Sequence, residues 1–255
     1  MPVASSPPRR AGRRGAAAVH SHRERRNEET KLDKLTLLHA DVTACRACPR
    51  LVAWREEVAA TKRRAYRDWD YWGKPVHGFG DPEARLLLVG MAPGSHGANR
   101  TGRLFTGDAS GDFLYPALHR AGFANQPTSS QRGDGLQLHD CYITSVARCV
   151  PPQNKPNTAE IANCRPFLQR ELALLPHVRV VMPLGRIACD GYLAGLRALG
   201  HPIPRLDFGH GRQHTLPDGL PALLCAYHPS QQNTRTGRLT EEMMDQVLAQ
   251  AKLLL

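Results

Sequence analysis

No run of 18 or more apolar residues occurs in this 255-residue chain, so nothing in it has the length and apolarity of a membrane-spanning helix. No charged leader followed by a short apolar core is visible either, and a cytoplasmic location is expected. Acids are outnumbered, with 23 Asp and Glu against 34 Lys and Arg. No cluster of carboxylates suited to Mg²⁺ stands out, which argues against a nucleoside-phosphate hydrolase. The Gly-rich loop VGMAPGSHGANRTGRLFTGD, residues 89–108, lacks the GK[ST] of a phosphate-binding P-loop. It also lacks the glycine spacing of a dinucleotide fingerprint. Its first turn, residues 90–94, carries no acid and no nucleophile.

What is present is basic. The net charge of +11 points to a polyanionic partner, nucleic acid first. Residues 1–30 hold seven arginines against three glutamates and supply +4 of that charge. This stretch reads as a disordered basic arm adding nonspecific phosphate attraction. Its glutamates and its lack of an apolar face disfavour a transit peptide. Residues 31–255 are then expected to form one domain, since 41% apolar residues in the chain are enough for a core.

Hydrophobic patterning gives the fold class. Residues 31–65 read as helix, a cysteine-bearing break, then helix, with Leu35, Leu38 and Val42 spaced as one apolar stripe. A loop rich in aromatics, Gly and Pro follows. Strands are expected over 84–90, 140–149, 178–185 and 220–230. The first and third are nearly continuous apolar runs, the mark of central parallel strands covered on both faces. Helical patterns over 111–124, 158–176, 185–200 and 240–255 separate or follow them, with Thr158 and Thr240 as expected N-caps. The alternation predicts an α/β fold with helices on both faces of a parallel sheet. In such sheets ligands sit beyond the carboxyl ends of the strands.

Three strand-end segments carry unusual polar residues. In the first loop, Gly90 and Gly94 permit close backbone approach, and Arg100 and Arg103 are expected to meet phosphate. Phe105 is either a platform for a planar base or a core anchor for its loop. In CVPPQNKPNT, Asn154 is either a water- or base-orienting amide or an Asx-turn residue. In CAYHPSQQNTRTGR, His228 is followed by Pro229 and by Ser230, Gln231, Gln232, Asn233 and Arg235, a polar group able to bond phosphates. RTGRL occurs twice, at 100–104 and 235–239, and reads as two phosphate loops or as coincidence.

Seven cysteines are present, and four form a pattern. Cys45 and Cys48 form a CxxC followed by Pro49. Cys149 and Cys164 are separated by fourteen residues. Four thiolates can hold tetrahedral zinc or a [4Fe–4S] cluster. The spread second pair and the proline lean toward iron–sulfur. Cys141, Cys189 and Cys225 lie in apolar patterns and read as buried small hydrophobes.

The loop 89–108, the four cysteines and HPSQQNTRTGRLT together resemble the uracil-DNA glycosylase superfamily, and within it family 5. The resemblance runs over residues 31–255. It implies a three-layer α/β/α fold around a four-stranded parallel sheet. It implies a monofunctional DNA repair glycosylase, acting as a monomer on DNA with deaminated bases. Such an enzyme flips out uracil, and in this branch hypoxanthine and xanthine, and leaves an abasic site. Cys45, Cys48, Cys149 and Cys164 are implied to carry a mainly structural [4Fe–4S] cluster. Gly90, Met91, Ala92, Pro93 and Phe105 are implied to form the base slot, with Ser230, Gln231, Gln232, Asn233 and Arg235 on the DNA. Catalysis is implied to rest on Asn154 for the water and His228 for the leaving base, with Asp108 as the nearest acid. Met91 and Ala92 stand where relatives of other families place a polar, water-activating residue, and that absence points to family 5. The rival readings are a uracil-restricted family 4 enzyme and a noncatalytic iron–sulfur protein that binds nucleic acid.

Overall fold

The structure is a computed structural model that describes residues 31–255; the basic arm expected at 1–30 lies outside the described residues. Helix α1 occupies residues 31–44 and α2 Pro49–Thr61. Leu35, Leu38 and Val42 are buried as their spacing predicts. Next come β1 (Phe79–Gly80), β2 (Leu86–Gly90), α3 (Ala98–Thr101), α4 (Ala109–Arg120) and β3 (Cys141–Ser145). They are followed by α5 (Thr158–Ala173), β4 (Val180–Pro183), α6 (Arg186–Ala198), β5 (Gln213–His214), β6 (Ala222–Leu224), α7 (Gln231–Arg235) and α8 (Glu241–Leu253).

The sheet order is β1-β3-β2-β4-β6-β5. The central β3, β2, β4 and β6 are parallel, as expected. Two antiparallel strands of two residues each, β1 and β5, extend the four to six and pair the outer edges. Neither has the length or apolarity to be recognised from sequence.

Alternation along the strands builds three layers. Leu86 and Leu88 of β2 face one core with Leu114 and Leu118 of α4 and Val247 and Leu248 of α8. Leu87 and Val89 face the other, with Leu168 of α5 and Tyr192, Leu193 and Leu196 of α6. With β2 buried at every position, its apolar run is accounted for on both faces.

Two expectations change. The strands expected at 140–149 and 220–230 are shorter, ending at Ser145 and Leu224, although the chain beyond both stays buried and Ala226 still bridges Leu184. The segment beyond Ser145 carries Arg148, which is only 1% exposed; its Nη2 pairs with Glu171 at 2.6 Å, while its Nε and Nη1 have no partner among the described residues. The N-cap of α5 is Asn157, not Thr158. Its side chain accepts from the Glu160 backbone N–H and the Glu160 carboxylate accepts from the Asn157 N–H, a reciprocal box. Thr240 caps α8 as expected, accepting from the Met243 N–H. Among the described residues no helix is long and apolar enough to cross a membrane.

Candidate active site

The chain leaves β2 at Gly90 and enters a turn that ends on α3. The Gly90 and Met91 carbonyls accept from the Val146 and Ala147 N–H groups beyond β3, which fixes the wall of a slot between two strand ends. Phe105 lies directly against this wall. A Cβ on Gly90 would stand 3.1 Å from Cε2 and Cζ of Phe105, so glycine there lets the ring approach the backbone closely. Phe105 is 9% exposed, belongs to the core on the α4 face, and has φ of +51°. Its burial supports the reading of Phe105 as a core anchor for its loop.

His228 meets that ring from β6, with centroids 5.9 Å apart. Its backbone is tied down from α7: Asn233 Nδ2 and the Ser230 N–H both donate to the His228 carbonyl, at 2.9 and 2.8 Å. On the α6 side, a Cβ on Gly185 would sit 3.1 Å from His228 Cβ. No imidazole nitrogen of His228 is bonded to protein among the described residues. Burial lowers its pKa from 6.5 to about 4, so the ring is neutral at neutral pH.

Asp108 is the N-cap of α4, with Oδ1 accepting from the Ser110 and Gly111 N–H groups at 3.1 and 3.2 Å. Oδ2 points under the turn that follows the slot wall. A Cβ on Gly97 would be 1.8 Å from it and one on Gly94 2.9 Å. Burial raises the Asp108 carboxyl pKa, against the pull of the two capping N–H groups. One oxygen is thus committed to the helix and the other faces the turn.

Asn154 stands apart from these contacts. It lies on the exposed 3₁₀ turn Pro152–Asn154 beyond β3, with φ of +55°. Its side-chain amide has no hydrogen bond among the described residues, so the Asx-turn reading finds no bond to rest on. Gln231, Gln232 and Arg235 are exposed on α7. Ser230 caps that helix, accepting from the Asn233 N–H at 3.4 Å, while Asn233 is turned inward to His228.

The arginines of the first loop do not meet phosphate. Arg100 is 3% exposed; its Nε donates to the His96 carbonyl at 2.7 Å and its Nη2 to the Gly107 carbonyl at 2.8 Å. It braces the turn before α3 against the turn that carries Asp108. Arg103 is 5% exposed and makes a two-pronged pair with Asp134 at 2.9 and 2.7 Å. Asp134 lies too far from Arg103 in sequence for the charge pattern to reveal the pair, and the partners of Arg100 are backbone carbonyls, which no residue type marks. The echo RTGRL is a shared local solution. Gly102 and Gly237 both follow a short helix, at φ of +75° and +70°, and Leu104 and Leu239 are then buried in the same core.

The four patterned cysteines lie where α1, α2, α5 and the end of β3 meet. Cys48, Leu51 and Cys149 form one buried cluster. Arg55 Nη1 donates to Cys149 Sγ at 3.0 Å and to the Cys45 carbonyl at 3.1 Å. The Arg148 N–H points at Cys164 Sγ, and Asn163 Nδ2 at Cys48 Sγ, both at 3.5 Å. Burial pushes the Cys149 thiol up to about 11, with Arg55 opposing. Among the described residues no set of three side chains is already in metal-binding geometry. The donor set nevertheless fits a thiolate-bound centre. Three N–H donors are aimed at sulfur, and Arg55, 2% exposed with its Nε unpartnered, is a buried cation that thiolate charge would neutralise. Sequence reading missed Arg55, Arg148 and Asn163, of which only the two flanking Cys149 and Cys164 had positional signals. Elsewhere, Cys141, Cys189 and Cys225 are buried as expected, the last two with sulfurs 3.9 Å apart.

A hollow of about 800 Å³ lies on the α1–α2 side, lined by His39, Arg55, Trp72 and His77 among others. Burial there also lowers His39, to about 4, and His77. Because these rings and His228 have folded pKa values below the unfolded 6.5, they are neutral in both states above that pH. As pH falls from 6.5 toward 4 the unfolded chain takes up protons that the fold refuses, and stability drops. His228 contributes at most about 2–3 kcal/mol of this, less what its solvent-facing edge recovers. Thermal melts at pH 7.5 and pH 4.5 should show a clearly lower midpoint at the acid end, and a smaller drop for His228→Gln. Equal midpoints at the two pH values would contradict the buried neutral imidazoles.

The family model for the uracil DNA glycosylase superfamily matches residues 77–252. The chain is 57% identical to a type-5 uracil-DNA glycosylase of Thermus thermophilus, over 84% of this chain and 94% of that one. It is 52% identical to the type-5 enzyme of Mycobacterium tuberculosis, over 85% and 80%. A type-4 uracil-DNA glycosylase of Sulfurisphaera tokodaii is 31% identical over 52% and 53%. Met91 and Ala92 had pointed to the same branch. The chain belongs to the uracil-DNA glycosylase superfamily, in its type-5 group.

Proposed function

We propose that this protein hydrolyses the N-glycosidic bond of uracil in DNA, and of the related deaminated bases hypoxanthine and xanthine, leaving an abasic site. The observation that carries the reading is the free, neutral imidazole of His228 held against Phe105 at the mouth of the Gly90 slot. The target nucleotide must leave the stack before the bond is reachable. The base enters between the wall formed by Gly90, Met91, Ala92 and Pro93 and the edge of Phe105. Bond cleavage leaves positive charge on the sugar and negative charge on the base. A His228 N–H donates to the base oxygen where that charge gathers. Asn154, whose amide is unspent, orients the attacking water from the loop beyond β3. Asp108 sets the turn around Gly94 and Gly97, with Oδ2 left to face the sugar cation. Because the leaving group is stabilised, a strong general base is not required, which suits a slot wall with no acid.

Ser230 at the α7 N-cap, Gln231, Gln232 and Arg235 contact phosphates, while Asn233 acts through the His228 carbonyl. Cys45, Cys48, Cys149 and Cys164 would hold a [4Fe–4S] cluster. When bound, it supplies a cross-link between α1–α2, the end of β3 and α5 rather than chemistry at the slot.

The test is product formation. Labelled duplexes with uracil, hypoxanthine or xanthine, treated with the protein and then alkali, should break at the modified base. Cleavage confined to uracil would limit the enzyme to the type-4 pattern, and salt-sensitive binding without cleavage would favour a noncatalytic binder. Asn154→Ala should lower the single-turnover rate on uracil by about 10–100-fold with little change in duplex affinity. A full rate in that variant removes Asn154 from the water.

A further inference from the structure

The segment 62–74, KRRAYRDWDYWGK, takes no part in the site above, yet it is built as a charged and rigid surface. Arg63, Arg64 and Arg67 are exposed and, with Ala65 and Asp68, line a hollow of about 580 Å³. Asp68 approaches Arg67 Nε only at 3.6 Å, between side chains 75% and 90% exposed, so it neutralises little. Three guanidiniums therefore share one shallow depression with a single weakly engaged carboxylate.

The segment is also fastened to the slot. The buried Arg100 guanidinium lies 4.0 Å from the ring centres of both Tyr66 and Trp69, gripped between them. Lys62 Nζ closes the turn on the Trp69 carbonyl at 2.7 Å. The Trp72 and Gly73 N–H groups donate to the Arg100 and Asn99 carbonyls, and Tyr71 Oη is 3.1 Å from His96 Nδ1. His96, Asn99 and Arg100 continue the same loop that forms the slot wall. Val76 N–H bonds the Arg148 carbonyl beyond β3, so the segment sits at the β3 side of the slot, whereas α7 follows β6 at the other side. An anchored cluster of three exposed arginines with one weakly engaged carboxylate has the chemistry of a phosphodiester site.

We infer that Arg63, Arg64 and Arg67 form a second phosphate-binding strip, which grips the DNA backbone on the flank of the extruded nucleotide opposite to α7. The assignment of a flank rests on the glycosylase reading; the binding of DNA backbone does not. Each phosphate contact contributes about 0.9 to the slope of log affinity against log salt.

The test compares full-length wild type with the triple variant Arg63→Ala, Arg64→Ala, Arg67→Ala. Affinity for a labelled duplex without uracil is measured by anisotropy across a KCl series. A control triple, Arg120→Gln, Arg179→Gln and Lys252→Gln, removes equal charge near the opposite ends of the strands. The strip variant should lose about 2–3 from the magnitude of the slope, and the control less than one. Both variants should keep the wild-type melting midpoint, so that a changed slope is not a changed fold. A strip variant whose slope matches wild type, or matches the control, overturns the proposal. Excision by wild type is read separately as abasic product, so a protein that failed to excise would sink the glycosylase reading while the salt slopes still decided the strip.

Discussion

Replacing His228 with alanine is expected to slow uracil excision by about 100- to 1,000-fold in a single-turnover assay, the cost of one preorganised donor to developing negative charge. Duplex affinity should hardly change, because the imidazole meets the base and not the backbone. The size of the effect follows from three features of the ring. Its backbone is fixed by two hydrogen bonds to the His228 carbonyl, from Ser230 and Asn233, and the ring packs against Phe105. It is desolvated, which strengthens any bond it makes to an anion. It has no bond to protein on either nitrogen among the described residues, so it spends nothing before the substrate arrives. The pH profile is a second measurement. With a pKa brought down to about 4, the imidazole does not change charge near 6.5. The excision rate of wild type should therefore run flat from pH 8 to about pH 5, and an inflection near 6.5 would mean that the ring titrates as an ordinary histidine. A near-wild-type rate in His228→Ala would remove the leaving-group role.

The position of this histidine was legible in the sequence because a strand end with HPSQQN is unusual in composition, and strand ends are where such a fold keeps its ligands. The four central strands were legible for a related reason. A run such as LLLVG has no solvent-facing side, so both cores can be read from alternate letters of it. What failed to show was everything settled by partners distant in sequence. Arg100 and Arg103 look like phosphate ligands in a loop of glycines, and only the fold brings Tyr66 and Trp69 to one and Asp134 to the other. Thr158 looks like a cap until Asn157 and Glu160 are seen to bond reciprocally one residue earlier. Asn154 stands out by its loop, but the fold gives it no partner that would fix its direction. Phe105 reads as either platform or anchor, and its burial against Gly90 supports the anchor.

The other large effect is expected at the cysteines, where Cys149→Ser should abolish binding of the metal centre and lower the melting midpoint by about 10 °C. The reasoning begins with Arg55. Its side chain is buried, it donates to Cys149 Sγ, and its nearest carboxylate, on Glu56, is 3.8 Å away. A cation in that position is costly beside a neutral thiol, and burial does favour the neutral thiol at Cys149. Ligation removes the conflict: the sulfur becomes a thiolate, its charge offsets Arg55, and the N–H groups of Arg148 and Asn163 meet the neighbouring sulfurs. Loss of the centre leaves a buried cation unpaired, a defect of about 3–5 kcal/mol. It also leaves α1 and α2 joined to α5 here mainly by the ion pairs Asp41–Arg170 and Arg50–Glu160. In a domain of this size each kcal/mol moves the midpoint by roughly 2–4 °C. Purified wild type should be brown, with about four irons and four sulfides per chain. One zinc and no iron would keep the four-thiolate site and exclude the cluster, and no bound metal would exclude both. Should Cys149→Ser prove insoluble, bleaching of the wild type by an oxidant with a chelator supplies the same comparison. The midpoint should then fall as the visible absorption is lost, while Cys189→Ser, outside the centre, should keep its colour.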